Sequence, residues 1–420
     1  MDEYLKIVLE QIRCRKARPY IRQELQDHME EQIEANMHAG MDCESAEKAA
    51  VKDMGDPVET GISLDRIHKP QIAWKLLLII ALISVVGIMT HTMMTRHIDG
   101  GDAYTSGRYV MHVIVGIAVM TGVYFMDYTV LARSSKLIAA ALLAVCLLTL
   151  LFGGIVNGTY CMMIGGRLIS IQALMLFYVP VYGGVIYTYH GLGYRGLMKT
   201  VAWMVMPVLL VCRIPAMMTA GLMLISMLVM LTIAIWKDWF VVSKKKTLAG
   251  LWGIFIAFPL VAFCGMYVGN VLDSYQKARI QAFVSGSGDV SYVTEMLRSF
   301  LTTNKLIGSS GADISGSLPA LIAAVFGTAM KQKNQLGMIM GCGCGMVFLV
   351  SFLINILENL GALPPTATFL PFSSAGGSYL VVSYGLIGIV LSIYRYKNIY
   401  PRHVKVKMPR IKMTIKTENW

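Results

Sequence analysis

The spacing of apolar and polar residues divides the chain into two unlike parts. Up to about residue 70, apolar residues alternate with charged ones at helical intervals; Ile21, Leu25, Met29 and Ile33 recur every four positions and predict one apolar stripe on a helix. Beyond residue 70 the apolar stretches become long enough to cross a hydrocarbon layer of about 30 Å. The pattern therefore predicts a small soluble helical domain followed by a polytopic, all-α membrane domain.

Turn and capping residues set the boundaries of the first four helices. Gly40 is expected to end the second helix, and Asp42 to cap the third. Gly55-Asp56-Pro57 supplies a terminating glycine, an N-cap and a first-turn proline in succession. The helices are predicted at 3–14, 20–38, 43–54 and 57–67.

The membrane domain is predicted to contain about ten transmembrane helices. Some apolar stretches are long and continuous, and three others are shorter or bounded by charged residues and proline. The long stretches are 76–94, 109–126, 137–156, 169–188, 247–269, 335–357 and 379–394; the shorter ones lie near 200–212, 216–235 and 314–330.

Charge then orients these helices. The chain has 420 residues and a net charge of +12, of which residues 1–70 carry −5 and residues 71–420 carry +17. Lys and Arg concentrate in every second connection, as the positive-inside rule requires of cytoplasmic loops. This basic excess predicts contact with anionic lipids and not with nucleic acid. The basic connections are 127–136, 189–199, 236–246, 331–334 and the segment after 394.

This orientation places both ends of the chain in the cytoplasm and one long loop outside. The predicted divisions are a soluble domain at 1–70, a membrane domain at 71–395 with an outer loop at 270–313, and a basic tail at 396–420. A loop of that length is usually functional. Residues 1–22 lack the apolar core of a signal peptide. The eight cysteines are scattered, so no cofactor is predicted, and a divalent cation is left open.

A Pro/Gly-rich segment before the last apolar stretch carries the most specific motif. It runs from Asn359 through Leu363-Pro364-Pro365-Thr366, continues with Leu370-Pro371-Phe372-Ser373-Ser374, and ends in Gly376-Gly377-Ser378. This segment resembles the C-terminal signature of the SEDS family (the RodA, FtsW and SpoVE proteins). Irregular backbone at membrane depth must be buried in protein or line a cavity.

Weaker resemblances lie elsewhere in the chain. Tyr275-Gln276-Lys277-Ala278-Arg279-Ile280 resembles the start of the family's outer loop, and Pro215 with Thr219-Ala220 resembles another family segment. The soluble domain, with its E-L-x-x-H-x-x-E pattern, resembles the HAAS-type permease prefix domains of Gram-positive membrane proteins. A helical cap that merely packs on the membrane domain is the alternative.

The SEDS resemblance implies a peptidoglycan glycosyltransferase of the cell membrane, and the resemblance of the soluble domain implies a Gram-positive-type bacterium. Such a protein polymerises the undecaprenyl-linked precursor lipid II, usually beside a class B penicillin-binding protein. Asp313 stands where the family keeps its catalytic aspartate, although a helix N-cap or a solvated acid also explains it. Arg279 is expected to bind diphosphate or a lipid headgroup, unless it pairs with a loop acid. The other expected substrate-binding residues are Gln276, Glu358, Ser374, Gly376, Gly377 and Ser378.

Several acidic residues of the family pattern are replaced here. Ala173, Leu174 and Met175 stand where the family has a glutamate, Ala216 replaces an aspartate, and Ala375 replaces the signature tyrosine. These losses leave catalysis open and keep two alternatives: a non-catalytic scaffold or regulator of wall synthesis, and a transporter (flippase) of the lipid-linked precursor.

Overall fold

The protein is almost entirely helical, in agreement with the predicted fold class. The structure, a computed structural model, describes residues 1–97, 106–156, 159–164, 167–269, 314–359, 363, 369–372 and 376–402. Elements are numbered in chain order within these ranges.

The first 67 residues form four short helices whose ends follow the predicted signals. Asp42 accepts a hydrogen bond from the Ser45 backbone N–H (3.2 Å), and Asp56 accepts one from that of Val58 (2.7 Å), which confirms both N-caps. Gly40 has φ +98°, a conformation suited to glycine beyond a helix end. The helices are α1 Asp2–Gln11, α2 Arg18–His38, α3 Cys43–Asp53 and α4 Pro57–Ile67.

Ten helical segments follow within the described ranges, one for each predicted span. Seven are long and apolar enough by themselves to cross a membrane among the residues described. The apolar parts of α5 and α15 are shorter, and α13 joins α14 through a π-helical turn, Gly253–Ala257. The segments are α5 Trp74–His97, α6 Ser106–Phe125, α8 Ser135–Phe152, α9–α10 Ile171–Thr188, α11 Gly193–Arg213, α12 Met217–Trp236, α13–α14 Lys244–Val268, α15 Ile314–Met330, α16 Gln335–Asn359 and α17 Gly377–Arg395, with a short α7, Tyr128–Arg133, before α8.

A small antiparallel sheet between α8 and α9 departs from the prediction. The expected span 137–156 is too long, because α8 ends at Phe152 and strand β1, Gly154–Val156, follows. β1 pairs with β2 (Thr159–Ile164), which pairs with β3 (Arg167–Ile169). Ile and Val suit a strand as well as a buried helix, so an apolar run alone could not locate the change.

The centre of the membrane domain is formed by helices that pack closely on α16 and α17. Helix α17 packs along α6, and α16 packs against α10, α12 and α15. Gly341 faces Ala329 and Gly345 faces Phe326, so glycines spaced by four let α15 approach α16 closely. Helix α8 lies outside this centre: Leu137 is 73% exposed and Phe152 80%, as lipid-facing residues are in a bundle without its bilayer.

The soluble helices dock on one end of this bundle. Lys16 forms an ion pair with Asp127, the N-cap of α7, at 2.8 Å. Asp127 also accepts hydrogen bonds from Tyr400 and from Thr129. The Gln71 backbone N–H donates to the carbonyl of Arg395 at the end of α17 (3.1 Å). The N-terminal helices and the last helix thus meet at the predicted cytoplasmic end.

Candidate functional site

The described part of the signature segment is fastened to the bundle through its backbone carbonyls. The Tyr109 hydroxyl, on α6, donates to the Phe372 carbonyl at 2.7 Å. The Asn355 amide, on α16, donates to the Phe369 carbonyl at 3.2 Å. Phe372 has φ +62°, a left-handed conformation uncommon outside glycine. Side chains from two helices therefore satisfy polar backbone groups that a membrane would leave without partners.

Aromatic rings fix the same segment from its other side. Phe369 stacks on Tyr379 with ring centroids 4.6 Å apart, and Phe372 meets Tyr384 edge to face at 5.1 Å. Tyr384 is itself hydrogen-bonded to Ser84 of α5 (2.6 Å). Since Phe372 is buried and Tyr384 fully so, this corner of the bundle is a rigid packed core and offers a fixed platform.

Gly377, the first residue of α17, is in direct contact with an imidazole. A Cβ atom added at Gly377 would overlap the ring of His112 on α6. One ring nitrogen of His112 lies 2.7 Å from the Arg108 carbonyl oxygen, which fixes the plane of the ring. Position 377 therefore requires glycine, because any side chain would displace His112 or the start of α17.

Ser378 connects the start of α17 to the end of the small antiparallel sheet. Its Oγ accepts a hydrogen bond from the backbone N–H of Ser170, which follows β3, at 3.4 Å. The neighbouring Tyr379 side chain lies within interaction distance of Ser170 and of Thr219 near the start of α12. Two stretches that sequence analysis matched separately to the family, around residues 219 and 378, thus meet the end of β3 at one end of the bundle.

The predicted site residues fall into three groups. Gly376, Gly377 and Ser378 lie together at the start of α17. Glu358 is half-buried in the last turn of another helix, α16. Asp313, Arg279, Gln276 and Ser374 lie outside the described residues, so their roles stay predictions.

Sequence analysis did not single out Tyr109, His91 and His112, which surround the signature. The His91 ring stacks on Tyr109 with centroids 4.0 Å apart, and Tyr109 and His112 are one helical turn apart on α6. A usable signal existed, because polar side chains inside apolar spans are costly and often functional.

The positions of the replaced family acids are packed with apolar side chains. Ala173 and Met175 have no exposed surface, and Ala216 is 7% exposed. Within the described ranges, no group of three or more His, Cys, Asp or Glu side chains is placed to hold a metal ion. These three positions therefore supply no acid or base for catalysis.

Comparison with known sequences identifies the signature region. Residues 318–399 match the family model described as "Cell cycle protein" for FtsW, RodA and SpoVE. The chain is 38% identical over 96 residues to a probable peptidoglycan glycosyltransferase FtsW of Enterococcus hirae, which covers 22% of this chain and 24% of that protein. The FtsW of Pseudomonas fluorescens is 38% identical over 65 residues, 16% of each chain. The matched segment thus spans about a quarter or less of these relatives.

Solved structures resemble the chain over most of its length. A chain from a structure described as "Structural coordination of polymerization and crosslinking by a peptidoglycan synthase complex" aligns with TM-score 0.64 and 18% identity, over 77% of this chain and 98% of that one. The rod shape determining protein RodA of Thermus thermophilus aligns with TM-score 0.57 and 16% identity, over 78% and 97%. These likenesses show a shared membrane fold. This multi-pass membrane protein therefore shares its fold with these proteins, and its residues 318–399 carry the signature of the FtsW/RodA/SpoVE (SEDS) family.

Proposed function

We propose that this protein is a peptidoglycan glycosyltransferase that extends glycan chains from an undecaprenyl-linked precursor at the outer face of the cell membrane. The observation that carries the proposal is the signature segment, which has most of the family's residues and whose described part is held to the bundle by hydrogen bonds from Tyr109 and Asn355. Rigid placement of a binding segment favours catalysis, because the geometry is set before substrate arrives.

The chemistry requires a base and a means of stabilising the leaving group. In the proposed reaction, the Asp313 carboxylate accepts the proton of the acceptor sugar hydroxyl. The hydroxyl oxygen bonds to the anomeric carbon of the donor sugar, and undecaprenyl diphosphate departs with the electrons of the broken C–O bond. The Arg279 guanidinium offsets the charge of the diphosphate. Gln276, Ser374, Gly376, Gly377, Ser378 and Glu358 are the proposed substrate-binding residues.

The proposal includes the surroundings of the site. A class B penicillin-binding protein is the proposed partner, which would cross-link the glycan that this chain makes. We propose that both ends of the chain lie in the cytoplasm, because Lys and Arg concentrate in the connections of that side. The Gram-positive-type cell is proposed from the resemblance of residues 1–70 to permease prefix domains. Residues 1–70 then form a cytoplasmic, permease-prefix-like contact module on a membrane domain of residues 71–395.

A polymerisation assay with Asp313→Asn tests the catalytic proposal. The purified chain, reconstituted in liposomes with lipid II, is expected to make glycan polymer that is resolved on gels. The substitution removes the base and is expected to lower the rate about 10²–10⁴-fold. Asp289→Asn is the matched control, since it removes one carboxylate from the same predicted outer loop and should leave the rate within about twofold. Equal rates for wild type and Asp313→Asn would refute the role of Asp313.

A second candidate function, a non-catalytic scaffold of the wall-synthesis machinery, is favoured by one observation. Buried apolar residues stand at the positions where the family has acidic residues, namely Ala173, Met175 and Ala216. On this alternative the wild-type chain would make no polymer, alone or with a penicillin-binding protein, yet would co-purify with that partner from membranes. Polymer made by wild type would eliminate the scaffold.

A further inference from the structure

A polar cavity of about 310 Å³ lies at the end of the bundle opposite the signature segment. Its walls come from three connections that are far apart in sequence: Lys237 follows α12, Gln332 and Lys333 lie between α15 and α16, and Arg402 lies beyond α17. Charge analysis assigned each of these connections to the cytoplasmic side. Gln335 and Met338, in the first turns of α16, complete the lining.

The electrostatics of this cavity favour an anion. Its described lining includes three cationic side chains, Lys237, Lys333 and Arg402, and no carboxylate. None of the three forms an ion pair with a described acid, and the nearby Asp238 pairs with Lys244 instead (2.6 Å). The N-terminus of α16 adds a partial positive charge from the helix dipole.

A buried side chain with unused hydrogen-bonding capacity points to the ligand independently. Gln332 is only 8% exposed, yet neither its Oε1 nor its Nε2 has a hydrogen-bond partner among the described residues. The Oε1 of Gln335 is in the same condition. Leaving such groups unsatisfied costs about 1–3 kcal/mol each, and a polar ligand in the cavity would remove that cost.

The cavity is held in shape by the backbone. Asn334 is fully buried; its amide donates to the Pro401 carbonyl (2.6 Å), and its Oδ1 accepts from the Gly337 N–H (3.0 Å). The Gln335 N–H donates to the Arg402 carbonyl (3.1 Å). These bonds fix the Arg402 backbone beside the start of α16, so the fold brings the connections that carry Arg402 and Lys333 together at the cavity.

We infer that this cavity binds a phosphate-bearing anion at the cytoplasmic face. The lysine and arginine groups would hold the anionic oxygens, and the Gln332 Nε2 would donate to one of them. The Gln332 Oε1 would accept from a phosphate hydroxyl or from a headgroup hydroxyl. The phosphate belongs either to a free ion or to an anionic phospholipid headgroup, since the cavity lies at the ends of membrane helices. This site is separate from the proposed sugar-transfer site on the outer face.

Two binding measurements on the full-length chain test the inference. Titration calorimetry of the detergent-solubilised chain with inorganic phosphate detects a free-ion site. Native mass spectrometry of the chain in nanodiscs of equal phosphatidylglycerol and phosphatidylcholine detects a retained anionic lipid. Wild type is expected to bind at least one of the two probes, and the probe bound identifies the source of the phosphate. A chain that binds neither probe overturns the site.

Matched variants separate a built site from general surface charge. The double variant Lys237→Gln with Lys333→Gln is expected to lose at least about tenfold in affinity. Lys199→Gln with Lys331→Gln removes the same charge from exposed positions on the same predicted face, outside the cavity, and should bind as wild type does. An equal loss in both double variants overturns the inference.

Gln332→Leu gives a readout that does not depend on charge. Leucine removes two polar atoms without partners, so the ligand-free chain is expected to melt at a higher temperature than wild type. The same change is expected to weaken binding of the probe. A variant that binds the probe as tightly as wild type would contradict the role given to Gln332.

Discussion

Asp127 shows how one carboxylate can join two parts of this protein. Burial alone raises the pKa of Asp127, but the hydrogen bonds from Lys16, Tyr400 and Thr129 outweigh burial and hold the pKa below its ordinary value. Burial lowers the pKa of Lys16, yet the hydrogen bond to Asp127 raises it above its ordinary value overall. Both shifts mean that the charged pair is favoured in the folded protein.

These shifts predict a pH-dependent stability. Because the folded pKa of Asp127 is depressed, its contribution is present above its unfolded pKa of about 3.9 and is lost as pH falls below that value. Because the folded pKa of Lys16 is raised, the contribution of Lys16 to stability is present below its ordinary pKa of 10.5 and is lost as pH rises above that value. Thermal unfolding between pH 3 and 7 should show a decline at the acid end that is smaller in Asp127→Asn.

The same carboxylate allows a graded substitution series. Asp127→Asn keeps an oxygen to cap α7 and is expected to cost about 1–3 kcal/mol of unfolding free energy, while Asp127→Ala also removes the cap and should cost about 1 kcal/mol more. Lys16→Met should cost less, because Lys16 is 48% exposed and water screens its charge. Arg15→Met, at an exposed neighbour, is the control and should change stability little. Equal costs for Asn and Ala would contradict the capping role.

Gly377 is the second position at which a substitution tests the structure. Gly377→Ala places a methyl group against His112 and is expected to cost about 1–3 kcal/mol by overpacking. Adding His112→Ala should recover much of that cost, which a double-mutant cycle on thermal unfolding measures. Gly107→Ala, where an added Cβ meets nothing within 4 Å, is the control. Purely additive costs would show that Gly377 and His112 do not contact each other.

The contact between α6 and α17 illustrates how the helices of this bundle are held together. In lipid, apolar surface gives little preference for another helix, so close backbone approach and buried hydrogen bonds decide the packing. Gly388 supplies such an approach, and Gly116 makes room for the Tyr384 ring. The Ser84–Tyr384 hydrogen bond ties α5 to the same helix pair.

Gly388 and Gly122 provide a matched test of this packing. A Cβ at Gly388 would lie 2.8 Å from the Met120 carbonyl oxygen, whereas one at Gly122 meets nothing within 4 Å. Gly388→Ala is therefore expected to destabilise the chain by about 1–3 kcal/mol. Gly122→Ala should be neutral or slightly stabilising, since alanine favours a helix. Thermal unfolding in one detergent compares them, and equal melting temperatures would contradict close packing at Gly388.

The molecule as a whole presents two unlike ends. One end of the bundle gathers the signature segment, the small antiparallel sheet and the start of α12. We propose that this end is the outer face. The other end gathers the N-terminal helices and the polar cavity lined by Lys237, Lys333 and Arg402. This separation fits a protein that takes its substrate on one side of a membrane and contacts cytoplasmic components on the other.

Epitope mapping tests the orientation of the whole chain. A tag inserted after Gly288, in the predicted outer loop, should be accessible to antibody on intact cells, while a tag after Trp420 should become accessible only after permeabilisation. Detection of both tags on the same side would contradict the predicted topology, and with it the proposed outer-face chemistry.

Local signals explain why much of the fold was predictable. Helix ends at Asp42 and Asp56 depend on neighbours within three residues, and an apolar run reports its own membrane crossing. The small sheet between α8 and α9 was missed because its strands are as apolar as the helices around it, so an apolar run alone gave no boundary. At the candidate site, the signature was found from the motif, but the partners of that motif on α6 were not.

The sequence by itself determined that the chain is a helical membrane protein, where the caps of the N-terminal helices lie and which segment carries the family signature, because each is encoded by residues close together in the chain. Tertiary structure alone decided that His112 lies against Gly377, that Lys16 reaches Asp127, and that Lys237, Lys333 and Arg402 surround one cavity. These residues are separated by tens to hundreds of positions. Contacts between them depend on how helices pack, and packing leaves no periodic pattern in a single sequence.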